Sequence, residues 1–252
     1  MNRFRAGDIM KRKSETASSV NWQMSASDQQ KGLPMPPIQK PAAGGGKVIR
    51  LPQPPESPGK KALAKAISGR KSRRQFSDEH ISQEELSFLL WASQGVRDAS
   101  NPNRIYRNVP SAGNRHALET YLAVFRVEGL EKGIYRYLPL DHALVLESTT
   151  PDLESLVSEA CMGQAFAGSS AATFIWAVVK YRMEWRYPGA SIKLYSLDAG
   201  HACQNLYLAC EATGCGTCAI AAYDQDLADR LLGLDGEKEF VIYIAPVGKA
   251  KD

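Results

Sequence analysis

No stretch of the 252-residue chain approaches the roughly twenty consecutive apolar residues of a membrane-spanning helix, so none is expected. Cysteine is scarce. Cys161, Cys203, Cys210, Cys215 and Cys218 are an odd number without a secretory context, and disulfide stapling is not expected. The N-terminus opens on basic residues, but Ser14, Glu15 and Thr16 stand where a signal peptide needs an apolar run, which makes the cytoplasm the expected compartment. Charge of one sign is nearly balanced, 31 Lys and Arg against 27 Asp and Glu. The small basic excess is local, at residues 3–13 and at Arg70-Lys71-Ser72-Arg73-Arg74. With no aromatic platform or recognisable motif beside it, nucleic acid is not the expected partner. What the chain does have is a 44% hydrophobic content, enough for the core of one domain.

Residues 1–56 read as an extended arm rich in Ser, Gln, Pro and Gly, unable to bury enough apolar surface to fold alone. Two apolar touches, Trp22-Gln23-Met24 and Val48-Ile49-Arg50-Leu51, can dock it onto the body or a partner, and the arm is expected to wrap a neighbouring subunit. Gly44-Gly45-Gly46-Lys47 lacks the following Ser or Thr of a nucleotide-phosphate loop and reads as linker.

The folded domain is expected over 57–252. A first helix is expected from Ser57 and Pro58, with Ala62, Leu63, Ala66 and Ile67 on one face and Gly69 at its end. A second has Ser82 and Glu85 in capping-box spacing, buries Leu86, Leu89 and Leu90, and stops at Gly95. Strands are expected over 120–127, 133–138, 143–147, 173–179, 217–222 and 240–247. Further helices are expected over 152–162, 194–213 and 225–232. The elements mix without regular βαβ alternation, and the class is α+β.

Three segments suit pieces of a flat, phosphate-bearing cofactor. In an extended Arg70-Lys71-Ser72-Arg73-Arg74, alternate residues Arg70, Ser72 and Arg74 face one way, and two guanidiniums with a hydroxyl can hold a phosphate and an electron-rich ring edge. Pro110-Ser111-Ala112-Gly113-Asn114 offers small residues for close backbone approach and an amide side chain. Ala219-Ile220-Ala221-Ala222 is a strand end whose amides can meet a planar ring. Taken singly, each is also an ordinary basic turn, Gly-containing loop or packed strand end.

Together these segments resemble the nitroreductase superfamily, and within it the branch of SagB-type and thiazole-oxidase dehydrogenases. The resemblance rests on Arg-x-Ser-x-Arg-x-Phe (70–76), Glu-Leu-Ser-x-Leu-Leu-Trp-Ala (85–92) and Pro-Ser-Ala-Gly (110–113). It continues in Gly-x-Tyr-x-Tyr (133–137), Asp-Ala-Gly-His-x-x-Gln-Asn-Leu (198–206) and Val247-Gly248. It implies a mostly antiparallel central sheet flanked by helices, an intertwined homodimer, and FMN bound at the subunit interface. Arg70, Lys71 and Ser72 would lie at the phosphate and ribityl chain, and Arg74 near N1 and O2 of the ring. Pro110, Ser111, Ala112 and Asn114 would reach over from the partner, with the backbone of Ile220, Ala221 and Ala222 at N5. The implied activity is hydride transfer between flavin N5 and a small organic or peptide-derived substrate, with NAD(P)H a candidate electron donor. The chain departs from many relatives at Ala221-Ala222, where Glu-Gly or Gly-Ala is common, and Lys249 is the candidate for a Lys or Arg that closes on the phosphate from beyond the last strand.

Other residues carry two readings. Lys180-Tyr181 matches a pair that serves proton abstraction in heterocycle-oxidising relatives and is the candidate catalytic pair, against an exposed strand end. His201 is a hydrogen-bond anchor near substrate or, as favoured here, a tie between helices. Cys215-Gly216-Thr217-Cys218 follows a helix end instead of opening one, so buried inert thiols are expected and no metal site. The alternatives to an enzyme are a flavin-binding protein for storage or sensing and a scaffold that has lost the cofactor.

Overall fold

The computed structural model describes residues 26–42, 46–54, 61–101 and 104–251. At its centre lie β4 (Leu118–Val124) and β7 (Ala172–Val179), paired antiparallel, with every residue of β4 buried. Leu122, Val124, Phe174 and Trp176 enter one core, and the alternate residues Tyr121, Ala123, Ile175 and Ala177 enter a second. This period of two places apolar side chains on both faces, so the sheet must be covered on both.

The flanking strands are β1 (Val48–Arg50), β5 (Gly133–Leu138), β6 (Ala143–Ser148), β8 (Cys215–Thr217) and β9 (Glu239–Lys249), in the order β1-β6-β5-β4-β7-β9-β8. Every pairing between these strands is antiparallel. A separate ribbon, β2 (Val96–Asn101) with β3 (Arg104–Arg107), was not legible in the sequence.

The helices are α1 (Leu63–Gly69), α2 (Gln83–Gln94), α3 (Leu153–Ala160), α4 (Ala165–Gly168), α5 (Lys180–Glu184), α6 (Ser191–Thr213) and α7 (Gln225–Leu231). The expected capping box opens α2: Ser82 Oγ accepts from Glu85 N at 3.2 Å and Glu85 Oε2 accepts from Ser82 N at 3.0 Å. Leu86, Leu89 and Leu90 are fully buried against the sheet and α6. Gly214, at φ 69°, ends α6 in the left-handed conformation that glycine adopts without strain.

Some expectations need correction. The start of α1 at Ser57 and Pro58 lies outside the described residues, and of its expected inner face only Ala66 is buried, while Leu63 and Ile67 are exposed. The strand expected over 217–222 stops at Thr217. Ladder bonding to β9 resumes only as an isolated bridge between Ile220 and Ile244, because Ala219 N turns to a side-chain hydroxyl instead. Lys180 and Tyr181 begin a helix, not a strand end.

Residues 26–42, read as part of an arm wrapping a neighbour, lie against their own chain. Trp185 Nε1 donates to Leu33 O at 3.0 Å, Arg182 Nε to Pro37 O at 2.6 Å, Arg107 Nη2 to Ile38 O at 3.0 Å and Arg136 Nη2 to Pro41 O at 2.8 Å. Those three arginines are buried, and a buried guanidinium needs acceptors; the carbonyls of this extended strap supply them. Val48–Arg50 then adds the edge strand β1 to the sheet. Trp22 and Met24 lie outside the described residues.

Candidate functional site

After α1 the chain runs extended across the end of the sheet. Ser72 forms a parallel bridge with Thr217, Arg73 N donates to Thr217 O at 2.9 Å, and Phe76 bridges Ala250. Two glycines let it lie this close. A Cβ on Gly216 would stand 2.8 Å from Arg73 Cβ, and one on Gly248 would stand 2.8 Å from Phe76 Cβ.

Extended geometry sends alternate side chains to opposite sides, as the sequence suggested. Arg73 turns to Glu211 of α6, an ion pair that Lys61 joins at 2.7 Å. Burial by itself would raise the Glu211 carboxyl, but hydrogen bonds from Lys61 and Arg73 outweigh it and hold the group below its ordinary value. Arg70 lies over the ring of Tyr207, 5.2 Å from its centre, and Arg74 over Phe166 at 5.8 Å. Neither has a carboxylate partner among the described residues. Lys71 is exposed.

Tyr207 joins this cationic segment to the 219–222 backbone. Its hydroxyl lies 2.9 Å from Ser72 Oγ and accepts from Ala219 N at 2.8 Å. Beyond the Ile220 bridge, Ala221 and Ala222 are exposed, and their amides have no hydrogen bond among the described residues. Gln164 Nε2 donates to Ala222 O at 3.1 Å and to Cys161 O at 2.9 Å, which fixes the far end of the segment. Thr217, bridged to Ser72, keeps a buried hydroxyl without a partner among the described residues. The two segments, joined through Tyr207, thus carry two guanidiniums without carboxylate partners and two amides without hydrogen bonds among the described residues.

The third segment lies elsewhere in the same chain. Ser111 Oγ donates to Asp198 of α6 at 2.7 Å and Ala112 N to the same carboxylate at 3.2 Å. Asn114 Nδ2 donates to Ile105 O at 2.7 Å, and Gly113 and Asn114 hold positive φ of 57° and 58°. Pro110 is exposed beside them. Asp198 and Tyr207 are nine residues apart on α6, about 13 Å at 1.5 Å per residue, so one protomer does not bring loop and cationic segment together.

The other candidates are scattered. Lys249 is ion-paired with Glu85, and that bond raises its ammonium above the ordinary value although burial opposes it. Lys180 pairs with Glu184 at 3.2 Å, and Tyr181 donates to Asp28 at 3.0 Å. Both follow Val179, whereas Thr217 pairs with Val247, which pairs with Ala172 at the other end of β7, about 23 Å away at 3.3 Å per residue. His201 is exposed on α6. Burial pushes the Cys215 thiol up to about 11 and the Cys203 thiol up to about 12, which suppresses thiolate chemistry. Among the described residues no cluster of three or more His, Cys, Asp or Glu is placed to hold a metal.

Sequence reasoning missed Tyr207, Phe166 and Gln164. Tyr207 lies within the helix expected over 194–213, with no role assigned to it. The available signal was its spacing four residues before Glu211, which puts the partners of Arg70 and Arg73 on one helix face.

An antiparallel sheet covered on both faces, with an extended cationic segment crossing its end beside a short edge strand, defines the α+β architecture of this chain. More particularly, the chain belongs to the Nitroreductase family, whose model matches residues 67–249. The family is one of oxidoreductases, typically flavin-dependent. The chain is 29% identical over 187 residues to a protein of Methanocaldococcus jannaschii provisionally named a nitroreductase, covering 74% of this chain and 90% of that one. Among solved structures it is similar to a provisionally named nitroreductase of Ralstonia eutropha JMP134, with TM-score 0.69 and 28% identity over 85% of this chain and 95% of that chain. A provisionally named nitroreductase of Anabaena variabilis gives TM-score 0.72 and 25% identity over 84% of this chain, which spans 43% of that longer one.

Proposed function

We propose that this protein is an FMN-dependent oxidoreductase that transfers a hydride between the flavin and a small organic or peptide-derived substrate. The observation that carries the reading is the pair of guanidiniums without carboxylate partners among the described residues, Arg70 and Arg74, on a segment that Tyr207 joins to the backbone of Ala219, ahead of the unbonded amides of Ala221 and Ala222. The donor set fits a phosphorylated ring system: two cations without carboxylate partners, a hydroxyl, two free amides and the orphaned hydroxyl of Thr217.

FMN, when bound, supplies two-electron chemistry at N5. Arg70 and Ser72, with Lys71 at the rim, would hold its phosphate and ribityl chain. Arg74 would supply a fixed cation that favours the extra negative charge of the reduced ring. The amides of Ala221 and Ala222, with Ile220, would orient the ring. Lys249, engaged by Glu85, is the weakest member of this set.

The working form in this reading is a homodimer. Ile192, Leu197 and Gly200 lie exposed on α6, and a Cβ on Gly200 would meet nothing within 4 Å. Two copies packed through this face would bring Pro110, Ser111, Ala112 and Asn114 of one against the cationic segment of the other, and would shut water from the hydride exchange. NAD(P)H is the proposed electron donor and the cytoplasm the proposed compartment, in keeping with five free cysteines.

The purified protein should be yellow, with about one FMN per chain, and NADH or NADPH in stopped flow should bleach the flavin before an acceptor restores it. A colourless protein that takes up no added FMN would end this reading. The pairing of Lys180 with Glu184, and its distance from Thr217 within one protomer, favours a second reading: a flavin-binding protein without turnover, for storage or sensing. Such a protein would bind FMN but show no acceptor-driven recovery.

A further inference from the structure

Arg70, Arg73 and Arg74 lie within five residues, yet their partners divide them into two kinds. Arg73 is neutralised by buried Glu211. Arg70 and Arg74 each lie on an aromatic ring, at 5.2 Å and 5.8 Å from the centres of Tyr207 and Phe166. A carboxylate fixes a guanidinium by cancelling its charge. The face of an aromatic ring fixes it through the ring quadrupole and leaves the net charge intact for a further anion.

Tyr207 is fastened to one end of the 219–222 backbone, and Phe166 belongs to the short segment that holds its other end. The Tyr207 hydroxyl accepts from Ala219 N at 2.8 Å and meets Ser72 Oγ at 2.9 Å. Phe166 lies two residues after Gln164, whose side-chain amide donates to Ala222 O at 3.1 Å. The charge and the free amides therefore share two common supports, one at each end of the surface.

We infer that Tyr207 and Phe166 are positioning residues of the anion site, whose rings hold Arg70 and Arg74 at set places relative to the Ala219–Ala222 backbone while leaving both cations unneutralised. The inference rests on the reading under Proposed function and adds to it the means by which the site charge is aimed. Tyr207 governs the phosphate end, through Arg70 and Ser72. Phe166 governs the ring-edge end, through Arg74.

The test is FMN titration of the flavin-free protein, followed by the midpoint potential of the bound flavin, for wild type, Phe166→Leu, Phe166→Tyr and Tyr207→Phe. Thermal melting confirms that each variant is folded. Losing one cation–π seat should weaken FMN about 3- to 10-fold in Phe166→Leu. The potential should also become more negative, because Arg74 no longer sits at the ring edge. Phe166→Tyr keeps a π face and should restore both values. Tyr207→Phe keeps the ring under Arg70 but loses the hydroxyl bridge, and should weaken FMN by a comparable factor of about 3 to 10. Wild-type Kd and potential in both Phe166→Leu and Tyr207→Phe would overturn the inference. So would an affinity loss in Phe166→Leu that Phe166→Tyr leaves uncorrected, since that marks mere packing. Wild-type protein that takes up no FMN would overturn the functional reading itself, a result separable from either.

Discussion

The hydroxyl of Ser111 donates to the carboxylate of Asp198 across 2.7 Å, which ties the Pro110 to Asn114 loop to the same helix that carries Tyr207 nine residues further on. All three segments singled out in the sequence therefore hang from one rigid rod, at two places about 13 Å apart along its axis. Their separation is what a second copy of the chain would close.

Asp198 makes the stability of the fold pH-dependent. Burial raises its carboxyl above the ordinary 3.8, against hydrogen bonds from Ser111 and Ala112 that lower it. The folded chain then holds a proton more tightly than the unfolded one. The contribution to stability is full below pH 3.8 and is lost as pH rises through the elevated folded value. In Asp198→Asn this loss should disappear. Urea unfolding from pH 4 to 7 should show the variant gaining stability relative to wild type as pH rises, and a constant difference would refute the assignment.

The three arginines should separate by phenotype. Arg70→Ala and Arg74→Ala should each weaken FMN by about 10- to 100-fold, the worth of a charge-assisted hydrogen bond, with little change in melting temperature. Arg73→Ala should instead destabilise the fold by about 1–3 kcal/mol, because Glu211 remains buried with only Lys61 beside it. Calorimetry and FMN titration on the same preparations check both halves.

Gly216→Ala puts a methyl 2.8 Å from Arg73 Cβ and forces the cationic segment off the sheet. FMN affinity should fall although Gly216 presents no side chain to any ligand. Overpacking of this kind typically costs about 1–3 kcal/mol in stability. Unchanged affinity would mean that the segment's seating on β8 does not matter to the site.

Leu197 is 52% exposed in the single chain, so Leu197→Asp should be harmless to a monomer. On the proposed dimer face a buried, unpaired carboxylate should split the assembly and strip the flavin. Light scattering and the visible spectrum should change together. A yellow, dimeric Leu197→Asp protein would place the interface elsewhere.

Much of the fold was readable locally. The buried strand expected over 173–179, the capping box of Ser82 and Glu85, and the glycine stop at Gly214 are all set by neighbours within a few residues and stand in the structure where expected, while the strand expected over 120–127 runs from Leu118 to Val124. The alternation of Arg70, Ser72 and Arg74 was legible for the same reason. The apolar residues of α1 misled, because periodicity reports a face without saying what covers it: Leu63 and Ile67 face outward in the single chain.

The sequence by itself determined the α+β class, the ends of most elements and the residue types able to hold an anion, because these follow from backbone geometry and short-range bonding. Only the tertiary structure decided that Arg73 turns to Glu211 while Arg70 and Arg74 rest on Tyr207 and Phe166, and that residues 26–42 lie on their own body. Those pairings join positions between 69 and 152 apart in the chain. No local periodicity encodes a contact over that distance; it is set by which surfaces meet when the helices cover the sheet.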